Sequence, residues 1–246
     1  KDSLNFIFDS LSESSAGLVF INSNISAIQQ RNIERYLKVK VIDRTGLILE
    51  IFSERAKSFE GRLQVDLARL SYQKSRLVKS WTHLERQRGG KGFLGGPGET
   101  QIESDRRQLD SQIKNIKVKL RIVEKTRKLH RDSRKSLQFP FVTLVGYTNV
   151  GKSSLFNRLT SSSNLEKDML FATLDASARR VSLPSSKDII ISDTVGFISN
   201  LPTQLIKSFK SSLEEVISSD LIIHVIDLSS PFASNERQEV KKILDE

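Results

Sequence analysis

Apolar residues along the chain follow two rhythms. Predominantly apolar runs stand at 17–22 (Gly-Leu-Val-Phe-Ile-Asn), 141–145 (Phe-Val-Thr-Leu-Val), 189–191 (Ile-Ile-Ile) and 221–226 (Leu-Ile-Ile-His-Val-Ile). Their lengths are those of buried strands. Lys38 to Asp43 alternates polar and apolar like a further strand, and Ile25, Ile28, Ile33 and Leu37 lie between at near-helical spacing. Strand–helix–strand predicts a parallel pair with a crossover helix. Two strands do not make a stable sheet alone, so residues 1–43 read as an α/β remnant incomplete at its start.

From about Thr45 the rhythm changes. Phe52, Ala56, Phe59, Leu63, Leu67, Leu70, Leu77, Trp81 and Leu84 form the apolar stripe of one long helix. A second stripe runs through Ile102, Leu109, Ile113, Ile116, Leu120 and Val123. Matching seams predict an antiparallel helical hairpin over residues 44–136 whose stripes pack on each other. Between them, Gly89 to Gly98 holds six glycines and a proline, which no helix continues through. The stretch is longer than a hairpin turn needs, so Lys91 and Phe93-Leu94 at its tip read as a contact surface. Thr100-Gln101-Ile102-Glu103 resembles a capping box restarting the helix.

Charge sharpens this division. Of the net +10, residues 44–136 supply +12 (23 basic, 11 acidic), while 1–43 cancel and 137–246 carry −2. A field so concentrated suits a polyanion, nucleic acid being the usual one. The RNA-binding candidates are Lys91, Phe93, Lys114, Lys117, Lys119, Arg121, Lys125, Arg127, Lys128, Arg131 and Arg134. The plainer alternative is a solvated, charged helix pair. The absence of cysteine excludes disulfides and thiolate metal sites. No run has the length of a membrane span or the character of a signal peptide, so a cytoplasmic protein is expected, with an organelle matrix or stroma as the alternative.

The chemistry begins where the run at 141–145 ends. Gly146-Tyr147-Thr148-Asn149-Val150-Gly151-Lys152-Ser153 is G-x-x-x-x-G-K-S, and Ser154 to Leu159 continues it as a helix. Glycines let backbone N–H groups close around phosphates, Lys152 brings a cation to the β- and γ-phosphates, and the Ser153 hydroxyl ligates Mg²⁺. About forty positions on, Ile189-Ile190-Ile191 runs into Ser192-Asp193-Thr194-Val195-Gly196. A carboxylate there holds the magnesium or its water, and the glycine offers an N–H to the γ-phosphate. Phe171-Ala172-Thr173-Leu174-Asp175 lies between. A threonine in such a loop can complete the Mg²⁺ shell and sense the γ-phosphate, and Thr160, Thr173 and Thr194 all qualify by position. Position 197, where many GTPases orient water with a glutamine, is Phe197, so no catalytic residue is assigned. None of His83, His130 and His224 lies near these motifs in sequence.

From about Leu18 to its end the chain resembles the HflX-type GTPases. The resemblance rests on Asp43-Arg44-Thr45-Gly46, Glu60-Gly61-Arg62-Leu63, Gly96-Pro97-Gly98-Glu99-Thr100-Gln101, Gly146-Tyr147-Thr148-Asn149, Phe171-Ala172-Thr173-Leu174-Asp175 and Asp193-Thr194-Val195-Gly196-Phe197. It implies that Thr173 is the switch threonine. It further implies GTP as substrate and GDP as product, Mg²⁺ held by Ser153, Thr173 and Asp193, and a monomer on the large ribosomal subunit and its RNA, splitting, recycling or rescuing ribosomes. The family's guanine-reading motif, Asn/Thr-Lys-x-Asp, is expected beyond Glu246, so residues 137–246 read as a truncated doubly wound P-loop GTPase domain. An RNA-dependent ATPase and a non-catalytic RNA-binding factor with structural nucleotide are the competing readings.

Overall fold

The computed structural model describes residues 2–87, 97–135, 139–161, 171, 177–198 and 215–245. The chain is mixed α/β and divides into two compact units, residues 1–50 with 69–115 and residues 51–68 with 116–246.

In the first unit, α1 (Asp2–Ser14) precedes β1 (Leu18–Ile21), α2 (Ala27–Leu37) and β2 (Lys40–Asp43). β1 and β2 pair in parallel, Leu18 opposite Lys40, with α2 as the crossover that the spacing predicted. A capping box starts α2: Gln29 N donates to Ser26 Oγ at 3.2 Å, and Ser26 N donates to Gln29 Oε1 at 2.8 Å. Unlike the buried strand expected at 17–22, β1 leaves Leu18 49% and Phe20 45% exposed. A sheet of two strands covers only part of each strand's surface. Asp43 then caps α3 (Arg44–Arg55), accepting from Gly46 N at 2.8 Å. The same carboxylate accepts from Tyr72 Oη at 2.5 Å and pairs with Arg76, which also donates to Ile25 O at 3.1 Å. Burial, then the Asp43 carboxylate, pushes the Tyr72 phenol above its ordinary range.

The stripe beginning near Thr45 belongs to two helices rather than one. α3 ends at Arg55 and α4 (Phe59–Gln87) starts afresh, because Ser58 Oγ accepts from Gly61 N at 2.8 Å. Phe59 falls at the restart and is 65% exposed. α5 (Pro97–Lys135) opens on a proline, which suits a first helical turn, so Thr100 lies inside the helix and is not its cap. Residues 88–96, most of the glycine-rich tip with Lys91 and Phe93, lie outside the described residues. On α5, Leu109, Ile113, Ile116, Leu120 and Val123 are half-buried, while Val118, Ile122 and Leu129 are exposed. Lys74 pairs with Asp110 in the first unit, and Glu60 with Arg127 at 3.1 Å in the second. Early residues of α4 thus meet late residues of α5, the order of an antiparallel pair.

The second unit contains a four-stranded sheet in the order β4 (Ser177–Ser182), β5 (Asp188–Asp193), β3 (Phe141–Gly146), β6 (Leu221–Val225). β3 runs parallel to both neighbours, with Leu144 opposite Asp193 and Ile223, and β4 pairs antiparallel with β5. Alternate residues of β3 face opposite sides. Val142 and Leu144 pack with Ile191 and with Phe156 of α6 (Lys152–Thr160). Val145 packs with Phe197, Val216 and Val240 of α7 (Ala233–Asp245). Helices on both faces make the sheet doubly wound. β6 is less covered than a buried strand, with Leu221 56% and Ile222 42% exposed, since among the described residues it pairs only with β3.

Candidate functional site

Strands β5, β3 and β6 point the same way, so their carboxyl ends open on one edge of the sheet, where open α/β sheets bind ligands. β3 delivers its last residue, Gly146, there, and the loop 147–151 leads into α6. Gly151 stands at φ 87°, left-handed backbone that a side chain would strain, and Asn149 takes a similar φ of 63°. The turn aims the first N–H groups of α6 into the loop, where an anion is stabilised.

Lys152 is buried, and its Nζ donates to Tyr147 O at 2.7 Å, closing the loop on itself. Burial lowers its pKa to about 8, against which the Asp193 carboxylate pulls upward. Ser153 Oγ donates to Asp193 Oδ2 at 2.7 Å, joining the start of α6 to the end of β5. Gly196 lies so near the loop that an added Cβ would stand 2.7 Å from Thr148 Cα and 3.0 Å from Lys152 Nζ. The chain after β5 is laced to the loop, Thr148 N donating to Phe197 O at 2.7 Å and Phe197 N to Gly146 O at 3.1 Å.

Of the three threonines, Thr160 donates to Phe156 O at 2.8 Å and Thr194 to Leu144 O at 2.7 Å. Both hydroxyls bind backbone carbonyls. Thr173, with Ala172, Leu174 and Asp175, lies outside the described residues. Phe171 N donates to Thr148 Oγ1 at 3.1 Å, and its ring is buried against Phe52. Phe197 is buried in the core with Val145, Val216 and Val240. The side chain at the glutamine position is therefore a packing residue.

Some participants were not legible as such. His224 is remote in sequence, yet β6 sets it opposite Val145, one rung before Gly146. Burial, then the charges of Arg237 and Lys152, holds its pKa below the ordinary imidazole range. Glu215, which no motif marks, is buried and accepts from Ser192 Oγ at 3.0 Å. Of the RNA-binding candidates, Lys114, Lys117, Lys119, Arg121, Lys125 and Lys128 are exposed on α5. Arg127 instead bridges Glu60 and Glu215. Arg131 and Arg134 fall on the α5 backbone, with side chains outside the described residues.

A glycine-flanked loop between strand and helix, a buried lysine closing it and a serine–aspartate pair at the strand ends define a P-loop nucleotide-binding domain. Residues 141–246 match the family model described as 50S ribosome-binding GTPase, residues 55–134 the GTP-binding GTPase middle region, and residues 1–53 the GTP-binding GTPase N-terminal region. The chain is 53% identical over 236 residues to GTPase HflX of Magnetococcus marinus, covering 96% of this chain and 55% of that protein. It is 46% identical over 240 residues to GTPase HflX of Escherichia coli, covering 98% and 56%. The chain belongs to the HflX family of P-loop GTPases, and it spans about half the length of the curated relatives it matches. Among solved structures, that of the SsGBP and GDP complex superposes with a TM-score of 0.52 at 28% identity, covering 99% of this chain and 64% of the other.

Proposed function

We propose that the chain is the arm and part of the nucleotide engine of a factor that binds GTP with Mg²⁺, hydrolyses it, and acts on the large ribosomal subunit in splitting, recycling or rescue. The Lys152–Ser153–Asp193 arrangement at the strand ends carries this reading. Magnesium takes oxygen ligands and commonly only one or two carboxylates, the rest coming from phosphate and water. A hydroxyl and a carboxylate oxygen 2.7 Å apart beside the phosphate loop fit that donor set. Ser153, and Asp193 directly or through water, would hold the ion, which when bound neutralises charge developing on the phosphates.

This chain's own residues account for the rest of the site. The amides of 147–153 face the phosphates, and Lys152 exchanges the Tyr147 carbonyl for a phosphate oxygen. Gly196 brings a backbone N–H close to the γ-position. The likeness to the HflX relatives supports Thr173, in Phe171-Ala172-Thr173-Leu174-Asp175, as the γ-phosphate sensor. Phe197 presents no polar atom, so the group that orients water comes from elsewhere, and a ribosome-supplied contact would make hydrolysis slow alone and faster on the subunit. The exposed lysines and arginine of α5, with a cytoplasmic, partly ribosome-associated location, complete the reading.

The test is co-sedimentation of the full-length protein with large ribosomal subunits under a non-hydrolysable GTP analogue, GDP or ATP, with turnover measured alongside. Analogue-dependent association and subunit-stimulated GTP turnover are expected. Equal association in all three, or a preference for ATP, would sink it. In the same assay Thr173→Ala should weaken the GTP-analogue state selectively, and equal loss with GDP would remove Thr173 from that role.

A further inference from the structure

Arg127 occupies an odd place. The half-buried stripe of α5 runs through positions 109, 113, 116, 120 and 123, and its next step of four is 127. A guanidinium therefore stands where the seam calls for an apolar side chain, and its side chain is 18% exposed. Packing does not require a charge there. Retained polar groups at such positions are best attested as devices of register or switching.

The contacts show what the charge engages. One guanidinium nitrogen donates to Glu60 Oε1 of α4 at 3.1 Å, the other to Glu215 Oε1 at 3.2 Å. Glu215 is buried, and its second oxygen accepts from Ser192 Oγ at 3.0 Å. Ser192 is fully buried on β5, immediately before Asp193, whose carboxylate accepts from Ser153. One continuous path thus runs from both helices of the arm base, through Glu215, to the residue next to the carboxylate assigned to magnesium. All of these residues lie in the second unit.

We propose that Arg127 and Glu215 are positioning residues for Asp193, setting the end of β5 and tying the geometry of the magnesium-binding carboxylate to the base of the helical arm. The physical reason is the charge on Glu215. Arg127 holds one carboxylate oxygen while the other holds Ser192, so the side chain is fixed from both sides. Deprived of the guanidinium, the buried carboxylate loses its charged partner and must turn to find another, which disturbs its bond to Ser192. A shift of the arm that separates Glu60 from Glu215 would pull on Arg127 from one side only. Contact by the arm could reach the nucleotide site in that way, with no residue of the arm touching nucleotide.

This inference rests on the nucleotide reading above, and one titration separates their failures. Binding of a fluorescent non-hydrolysable GTP analogue to the full-length protein is measured with and without Mg²⁺, in the wild type, Arg127→Gln, Arg127→Lys and Arg127→Gln/Glu215→Gln. The double variant leaves no orphan charge at position 215 and guards against loss of folding in the single one. The expected result is a Mg²⁺-dependent gain in affinity that falls at least fivefold in Arg127→Gln and in the double variant. Mg²⁺-free affinity should stay within about twofold of wild type, and Arg127→Lys should restore part of the gain. Equal losses with and without Mg²⁺, or an unaltered Mg²⁺ gain in the folded double variant, would overturn the positioning role. A wild-type protein that binds no analogue under either condition would overturn the nucleotide reading and this inference with it.

Discussion

The ring of Phe52, near the end of α3, meets the ring of Phe171 edge-on, with centroids 4.4 Å apart and planes at 79°. Both are buried almost completely. Phe171 sits at φ 56°, a left-handed backbone uncommon for an aromatic residue, with its amide held by Thr148 of the phosphate loop. A strained residue persists only where its surroundings over-determine it. Phe52 and Thr148 supply that determination.

Breaking the ring contact should therefore be costly. Phe52→Ala and Phe171→Ala are each expected to destabilise by about 3–5 kcal/mol through lost burial and the cavity left behind. A double-mutant cycle by denaturant unfolding should show coupling of about 0.5–1.5 kcal/mol. Strict additivity would show that the two rings are merely neighbours.

Lys152 yields a pH signature. Its folded pKa of about 8 lies below the ordinary 10.5, because burial disfavours the charged form. Below pH 8 the group is charged whether folded or unfolded, and the nucleotide-free protein bears the full cost, of order 3 kcal/mol. Between pH 8 and 10.5 the unfolded chain holds more protons, so this group's contribution to stability rises with pH. Anionic phosphates should restore the charge, making GDP binding near pH 9 accompanied by proton uptake. Calorimetry in buffers of different ionisation enthalpy should show it, and Lys152→Ala should lose both the uptake and most of the affinity. Uptake unchanged in that variant would assign the proton to another group.

Phe197→Gln tests whether position 197 is open to catalysis. The ring is packed with Val145, Val216 and Val240, while its backbone is bonded to Gly146 and Thr148. An amide there is buried among apolar groups, so the expected result is a loss of about 2–5 kcal/mol with no gain in basal turnover. A faster enzyme of unchanged stability would show that the side chain can turn toward the nucleotide.

For the arm, the prediction concerns salt. Lys117, Arg121 and Lys128 are exposed on α5 and belong to the stretch that carries +12. If each meets a phosphate, reversing all three should weaken ribosome binding and lower the slope of log K against log salt by about 3. Basal nucleotide turnover should not move. Intact binding at moderate salt in the triple variant would make the arm a spacer.

The phosphate loop is legible in the sequence because its chemistry is local. Gly146 to Ser153 is one turn between one strand and one helix, and each residue's task follows from its neighbours in sequence. The same holds for the crossover pair at β1 and β2 and for the period of α5, since burial on one side of an element leaves a regular imprint. Breaks in that regularity were harder to see. Ser58 divides a continuous apolar stripe by one hydrogen bond, and Ser26 rather than Thr100 carries the observed capping box. A hydroxyl marks a helix start only when the backbone around it leaves the helix.

Relations between distant segments were decided by tertiary structure alone. Nothing in the spacing of the sequence sets Arg127 between Glu60 and Glu215, brings His224 beside the loop, or turns Phe197 into the core rather than toward the nucleotide. Periodicity records whether a position is covered, but not by what, because any apolar partner leaves the same mark. A charged residue on a buried stripe is the exception. Its cost must be met by partners of opposite sign, and the sequence announces that they exist while only the fold decides which carboxylates they are.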